Sequence, residues 1–120
     1  MTRLSSEAQA QQARLQQKYF DSLPAKRASL AGDWERVQSS DWSDAALTAL
    51  KAGVHRLAGS AGSYGFDQLG EAAAQLESSL RSGPGAAGFR EHISRQVREL
   101  QQALDDVESM VCLPRTSKHR

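Results

Sequence analysis

Apolar residues recur at alternating intervals of three and four along most of this chain, and that spacing constrains the fold more than any other feature. Such intervals place side chains on one stripe of an α-helix. The four stripes are Leu30, Trp34 and Val37; Leu47, Leu50, Val54, Leu57 and Ala61; Phe66, Leu69, Ala73, Leu76 and Leu80; and Phe89, Ile93, Val97, Leu100, Leu104, Val107 and Val111. β-branched residues are sparse, and no run alternates apolar with polar residues as a half-buried strand does. We therefore predict an all-α chain.

Helix-breaking residues separate these stripes. Pro24 precedes the first stripe, a polar run occupies 39–43, glycines cluster within 59–65, and Ser-Gly-Pro-Gly fills 82–85. Four amphipathic helices joined by short connections predict an antiparallel up-down four-helix bundle.

The two ends of the chain are expected to differ from the bundle, which we assign to residues 24–113. Residues 1–23 carry a weaker apolar stripe, interrupted by Gln11 and Gln12. They are predicted to form an additional N-terminal helix packed on the bundle. Residues 114–120 are polar, basic and aperiodic, and are predicted to be a disordered tail.

Composition and charge exclude several classes of protein. The chain has 120 residues, enough for one domain, and its 15 Lys and Arg residues against 14 Asp and Glu residues give a net charge of +1. That charge provides no field to hold a nucleic-acid backbone or an anionic membrane surface. No hydrophobic run is longer than the four residues 110–113, so no membrane-spanning helix is expected. The lone Cys112 fits a reducing compartment, so we expect a cytoplasmic protein, and a monomer needs the fewest assumptions.

The common sequence patterns of enzymes and metal proteins do not occur. The three histidines lie too far apart in sequence to form a metal-binding pair on one helix, and Cys112 has no second thiol near it. The glycines of 59–65 superficially look like a phosphate-binding loop. However, no strand precedes them and no Gly-Lys-Ser/Thr follows, so a nucleotide site is not expected. No serine, cysteine or aspartate motif indicates a hydrolase.

His55 differs from the other histidines in its neighbourhood. The helical angle places it about 110° from the centre of its apolar stripe, at the edge of the buried face. An exposed helix face usually carries Lys, Glu and Gln, but this one carries small residues. We call them, together, the small-residue face: Ala52, Ala58, Gly59, Gly62 and Ser63. Gly59 costs a helix about 1 kcal/mol relative to alanine and points about 150° away from the stripe, so the pattern favours close approach of another molecule.

A neutral imidazole with an unperturbed pKa of about 6.5 is a good nucleophile near neutral pH. It can accept a phosphoryl group from an acyl phosphate and later return it. Lys51 or Arg56 could place positive charge beside the transferred group. The plainer alternative is that His55 is a solvated or capping residue at the edge of a helix.

The order of residues after His55 resembles a known family. The run HRLAGSAGSYGF over 55–66, followed by Leu69 and by Leu76-Glu77, is similar to the signature of histidine phosphotransfer (HPt) domains. The resemblance implies a four-helix bundle with the phosphorylatable histidine exposed on its second helix.

By this resemblance, His55 would accept phosphate from a receiver-domain aspartate of a response regulator or hybrid sensor kinase and pass it to another. Gly59 would let the receiver approach, and Ser60 would occupy the family's small polar position. Glu77 matches a helix position that hydrogen-bonds the imidazole in some members of the family. Mg²⁺ would belong to the receiver, so no cofactor or metal is expected in this chain. The protein would carry phosphate without being an enzyme.

One residue departs from the family pattern. The third position after the histidine is usually lysine and is Ala58 here. Lys51, about 40° from His55 around the helix, and Arg56, about 100° away, are the candidates to replace that charge.

Two other functions stay open at this point. One is a helical docking module in which the small-residue face binds a signalling partner and His55 is never phosphorylated. The other is a purely structural bundle. Of the remaining residues, we interpret Trp34 and Trp42 as packing residues and His92 as a solvated one, while Tyr64 could line the docking surface or close its helix.

Overall fold

The computed structural model describes residues 6–83, 85 and 87–117, with side chains as far as residue 109. All regular structure in this part of the chain is helical, which confirms the all-α prediction. The helices are α1 (Ser6–Asp21), α2 (Leu23–Ser39), α3 (Asp44–Ser63), α4 (Asp67–Arg81) and α5 (Phe89–Ser117). None of the described helices is both long and apolar enough to cross a membrane.

Four of the helices share one hydrophobic core. α3 packs against α4, α4 against α5 and α2 against α3, while α2 also contacts α5. Most of the buried residues belong to the apolar stripes, including Leu50, Leu76 and Leu100, which are fully inaccessible to solvent. Three stripe residues, Trp34, Leu47 and Phe66, are only partly buried at the edge of the core. Packing of the stripes fixes which face of each helix remains outside.

The start of α3 is fixed by a cap and by a short strained turn. Ser43 Oγ accepts a hydrogen bond from the Ala46 backbone N–H at 3.2 Å, which satisfies one of the free N–H groups of the first turn. Asp41 and Trp42 before it have φ values of 57° and 62°. The Trp42 indole packs edge-on against Phe89 of α5, with ring centroids 6.0 Å apart. This contact ties the α2–α3 turn to α5.

The connection between α3 and α4 brings these two helices close together. Gly65 has a φ of +88°, a left-handed conformation that glycine adopts without strain. The Phe66 N–H then donates back to the Ala61 carbonyl at 2.9 Å. On α4, a Cβ added to Gly70 would lie 3.1 Å from the Gly62 backbone nitrogen. The absence of a side chain at Gly70 therefore lets the α4 backbone approach α3.

The N-terminal helix α1 is attached mainly through its last turn. The Tyr19 ring stacks on Tyr64 at 4.8 Å and lies 5.6 Å from Phe66, and Gln16 Nε2 donates to the Tyr64 carbonyl at 2.8 Å. Most of the rest of α1 is exposed, including Leu15 with 43% of its surface accessible. α1 thus contacts the other helices mainly at the C-terminal end of α3.

Two predicted boundaries differ from the observed ones. α2 begins at Leu23, one residue before the predicted start of the bundle, and only Ser22 separates it from α1. α5 continues to Ser117, so the predicted disordered tail is helical over 114–117, while 118–120 lie outside the described residues. Sequence patterns define the centres of helices better than their ends, because the terminal turns contribute few buried side chains.

Candidate functional site

The His55 side chain projects from α3 and is held by α4. Its Nδ1 lies 2.6 Å from Glu77 Oε2, and 66% of the His55 side chain is exposed. Glu77 is much less accessible, with 13% of its side chain exposed. The close packing of α3 on α4 therefore joins two residues that are 22 positions apart in sequence.

The hydrogen bond to Glu77 determines which imidazole nitrogen is free. A carboxylate accepts hydrogen bonds and has no proton to donate, so the shared proton lies on His55 Nδ1. In the neutral ring the lone pair is then on Nε2. Because Nδ1 is the nitrogen that faces Glu77, Nε2 points away from that carboxylate, and no described residue forms a hydrogen bond with it.

Arg81 is a further member of this site that the sequence reasoning missed. Its Nη2 donates to the same Glu77 Oε2 at 3.1 Å, so one carboxylate oxygen links the imidazole and the guanidinium. Arg81 lies four residues after Glu77 on α4, and that acid-to-base spacing is the sequence signal that could have revealed it. The result is a cationic side chain within two hydrogen bonds of His55.

Lys51 approaches the same region from α3. It is partly buried and lines a small cavity of about 220 Å³ together with Arg81 and Phe89. Lys51 lies one helical turn before His55 on α3, and Arg81 lies one turn after Glu77 on α4. The two side chains therefore face one another across the α3–α4 contact.

Arg56 and Ser60 lie on another side of α3. Ser60 Oγ donates to the Arg56 carbonyl at 2.8 Å and shares a hydrogen bond of 2.7 Å with the Tyr19 hydroxyl of α1. Arg56 and Ser60 both line a groove on the side of α3 that faces α1 and α2. The structure thus brings Lys51, Glu77 and Arg81 together near His55 but does not place Arg56 and Ser60 with them.

Burial of the small-residue face is uneven. Ala52, Gly59, Gly62 and Ser63 are exposed, whereas Ala58 is partly buried against α4. A Cβ added to Gly59 or Gly62 would meet no atom within 4 Å. Packing within this chain does not require either glycine to lack a side chain.

His92 offers a contrast with His55. Its Nε2 lies 3.1 Å from Ser79 Oγ, and Arg95 Nη2 lies 3.5 Å from its Nδ1. Since arginine only donates, Nδ1 is the acceptor and Nε2 carries the proton. Both ring nitrogens of His92 therefore have neighbours, and neither has a lone pair directed to solvent.

Burial also affects Tyr19, which faces Ser60. Burial raises the pKa of the Tyr19 phenol, and this effect outweighs the hydrogen bond with Ser60, which lowers it. In the part of the chain described here, His, Cys, Asp and Glu side chains form no group of three or more that could hold a metal ion.

The family model of the Hpt domain matches residues 4–110, which include the His55–Glu77 pair and all of the small-residue face. The chain belongs to the Hpt domain family. This confirms the resemblance found in the run that follows His55. Neither the curated proteins nor the solved structures compared with this Hpt domain match it.

Proposed function

We propose that this Hpt domain carries a phosphoryl group on Nε2 of His55 and shuttles it between receiver-domain aspartates of response regulators or hybrid sensor kinases. The observation that carries the proposal is the 2.6 Å hydrogen bond from His55 Nδ1 to Glu77, which leaves Nε2 exposed with its lone pair. The proposal includes an antiparallel up-down arrangement of α2–α5 and a monomer that acts in the cytoplasm.

The transfer step needs no proton acceptor. The Nε2 lone pair attacks the phosphorus of an aspartyl phosphate, a P–N bond forms, and the P–O bond to the aspartate breaks to release its carboxylate. The imidazole ring then carries positive charge, and the Glu77 carboxylate hydrogen-bonded to Nδ1–H stabilises it. Transfer to a second aspartate reverses these bonds, so the domain acts as a carrier and does not turn over a substrate.

Positive charge near the phosphoryl oxygens comes from Lys51 and Arg81. The family position usually held by lysine is Ala58, and its partly buried methyl group offers no charge. Arg81 is 66% exposed and bonded to Glu77, so its long side chain can reach a group attached to Nε2. Two cations thus approach from the α4 side of His55.

The receiver docks on the small-residue face around His55. A Cβ on Gly59 would have no neighbour within 4 Å among the described residues, so the space beside it is available to another molecule. The Mg²⁺ of the transfer reaction is held by the receiver. This Hpt domain needs no cofactor of its own.

A phosphotransfer assay tests the proposal. The chain is mixed with a panel of phosphorylated receiver domains, and the label on this Hpt domain is followed with His55→Gln and with His92→Gln as the matched control. We expect acid-labile, alkali-stable label on the wild type and on His92→Gln, and none on His55→Gln. Binding of a receiver without any label would support the docking module instead.

A further inference from the structure

A groove between α2 and α3 lies apart from His55 and Glu77, neither of which lines it. It has a volume of about 460 Å³, within the range typical of small-molecule sites, and α1 closes one end of it. We call it the α2–α3 groove. Its lining includes Tyr19, Lys26, Asp33, Arg56, Ser60 and Tyr64.

The aromatic end of this groove is preorganised. Tyr19 and Tyr64 stack with their rings 4.8 Å apart and 20° from parallel, and the Tyr19 hydroxyl is fixed by Ser60. Leu30 and Leu57, both almost fully buried like Tyr19, form the floor of the groove between the two helices. The aromatic surface that a flat ring entering the groove would contact is therefore mainly that of Tyr64, which is only partly buried.

Two cations line the groove without a carboxylate partner. Lys26 Nζ donates to Ser22 Oγ at 2.9 Å and lies 4.9 Å from the Tyr19 ring centre. Among the described residues, the Arg56 guanidinium has neither an ion-pair partner nor a hydrogen-bond partner. Neither cation forms an ion pair among the described residues, although Arg56 Nη2 and Asp33 Oδ2 would both lie within 4 Å of a Cβ added to Gly53.

The acidic group of the groove is already paired. Asp33 is buried, with 8% of its surface exposed, and its Oδ1 forms an ion pair with Arg36 on the same helix. Its second oxygen faces Gly53, where an added Cβ would lie 3.2 Å away. Arg36 offsets the Asp33 charge, so the groove retains the positive charge of Lys26 and Arg56.

We propose that the α2–α3 groove binds a small aromatic anion, such as an aromatic carboxylate, sulfonate or phosphate. The ring packs against Tyr64, the partly exposed member of the stacked pair, and the anionic group accepts hydrogen bonds from Lys26 and Arg56. Because Arg56 lies about 100° from His55 around α3, the ligand does not cover the imidazole. The site is independent of phosphorylation.

Fluorescence titration with anilinonaphthalene sulfonate, an aromatic anion, tests this site on the full chain. We expect saturable binding that weakens by roughly tenfold in Lys26→Gln and in Arg56→Gln, as loss of one charged hydrogen bond predicts. Arg98→Gln, an exposed arginine of α5 outside the groove, and His55→Gln should bind as the wild type does. Circular dichroism of each variant excludes dye binding to a partly unfolded chain.

The neutral analogue N-phenylnaphthylamine separates charge recognition from apolar binding. We expect it to bind more weakly than the sulfonate and equally to the wild type and the two groove variants. Equal binding of both dyes, or sulfonate binding unchanged in Lys26→Gln and Arg56→Gln, would overturn the proposal. So would amide chemical-shift changes outside residues 19–33 and 53–64 on adding the sulfonate. None of these results depends on whether His55 accepts phosphate.

Discussion

At the scale of single residues, the orientation of one imidazole decides the chemistry. Glu77 is mostly buried, so its carboxylate has few alternative positions and holds Nδ1 of His55 from one side. His92 is also exposed, but both of its nitrogens have neighbours. The difference between the two histidines is therefore in their partners and not in their accessibility.

Loss of the Glu77 carboxylate should slow transfer without unfolding the domain. A hydrogen bond to a charged group contributes about 1.5–3 kcal/mol, which corresponds to roughly a tenfold to hundredfold lower rate in Glu77→Ala. The rate of label transfer from a phosphorylated receiver measures this. Glu71→Ala, an exposed acid on the same helix, is the control. An unchanged rate in Glu77→Ala would show that Glu77 does not assist His55.

Arg81 should matter more for transfer than Arg56. Arg81 shares the Glu77 oxygen with His55, whereas Arg56 lines the α2–α3 groove. We expect Arg81→Gln to lower the transfer rate by about tenfold, from the loss of one charged hydrogen bond, and Arg56→Gln to have a smaller effect. Receiver-transfer kinetics of the two variants side by side provide the measurement. A larger loss of transfer rate in Arg56→Gln than in Arg81→Gln would contradict this prediction and indicate that Arg56 provides the positive charge near the phosphoryl group.

At the scale of helices, two glycines on adjacent elements have opposite roles. Gly59 of α3 faces open space, whereas Gly70 of α4 faces the α3 backbone at Gly62. Among the described residues, only the second is needed for packing. The proposed function assigns the first to the approach of a receiver.

Alanine substitutions at these two glycines should separate folding from docking. Gly59→Ala removes the helical cost of glycine and should raise the free energy of unfolding by about 1 kcal/mol, whereas Gly59→Gln should block transfer from a receiver. Gly70→Ala should lower the free energy of unfolding, because its Cβ would lie 3.1 Å from a backbone nitrogen. Urea unfolding measures the free energy of unfolding of each variant, and a phosphotransfer assay measures the transfer from a receiver. Normal transfer in Gly59→Gln would contradict docking on the small-residue face.

Attachment of α1 should weaken at alkaline pH. Burial raises the pKa of the Tyr19 phenol above its ordinary value of about 10, so folding favours the protonated form. The protonated Tyr19 phenol therefore makes its full contribution to the free energy of unfolding below a pH of about 10. That contribution is lost as the pH rises through the folded-state pKa. Alkaline urea unfolding of the wild type and Tyr19→Phe checks this, since the variant should lack that loss. If the free energies of unfolding of the two proteins fell in parallel with rising pH, the prediction would be wrong.

Sequence periodicity was sufficient to predict the helices because each stripe is a local pattern. It was not sufficient for contacts between distant residues. Tyr19 and Ser60 are 41 residues apart, and no local rule pairs them. The helical angle did separate Arg56 from His55, but only packing of α3 on α4 shows that Arg81 reaches the same carboxylate. On α3 the sequence predicted His55 and Lys51 but also Arg56 and Ser60, which line the α2–α3 groove instead. On α4 it predicted Glu77 and missed Arg81.

At the scale of the whole molecule, the two proposed functional surfaces lie on different sides of α3. The α3–α4 side carries His55 and the cations near it, and the side facing α1 and α2 carries the α2–α3 groove. A rigid helix between them permits each surface to be tested by substitutions that leave the other intact.

The position of the phosphoryl group on the imidazole tests the central claim most directly. The isotope-labelled domain is phosphorylated by a receiver, and long-range proton–nitrogen and phosphorus NMR correlations identify the modified nitrogen. We predict a single phosphoryl group on Nε2 of His55, with Nδ1 still protonated and bonded to Glu77. A phosphoryl group on Nδ1 or on His92, or a His55 ring that stays unmodified with every receiver, would contradict the account.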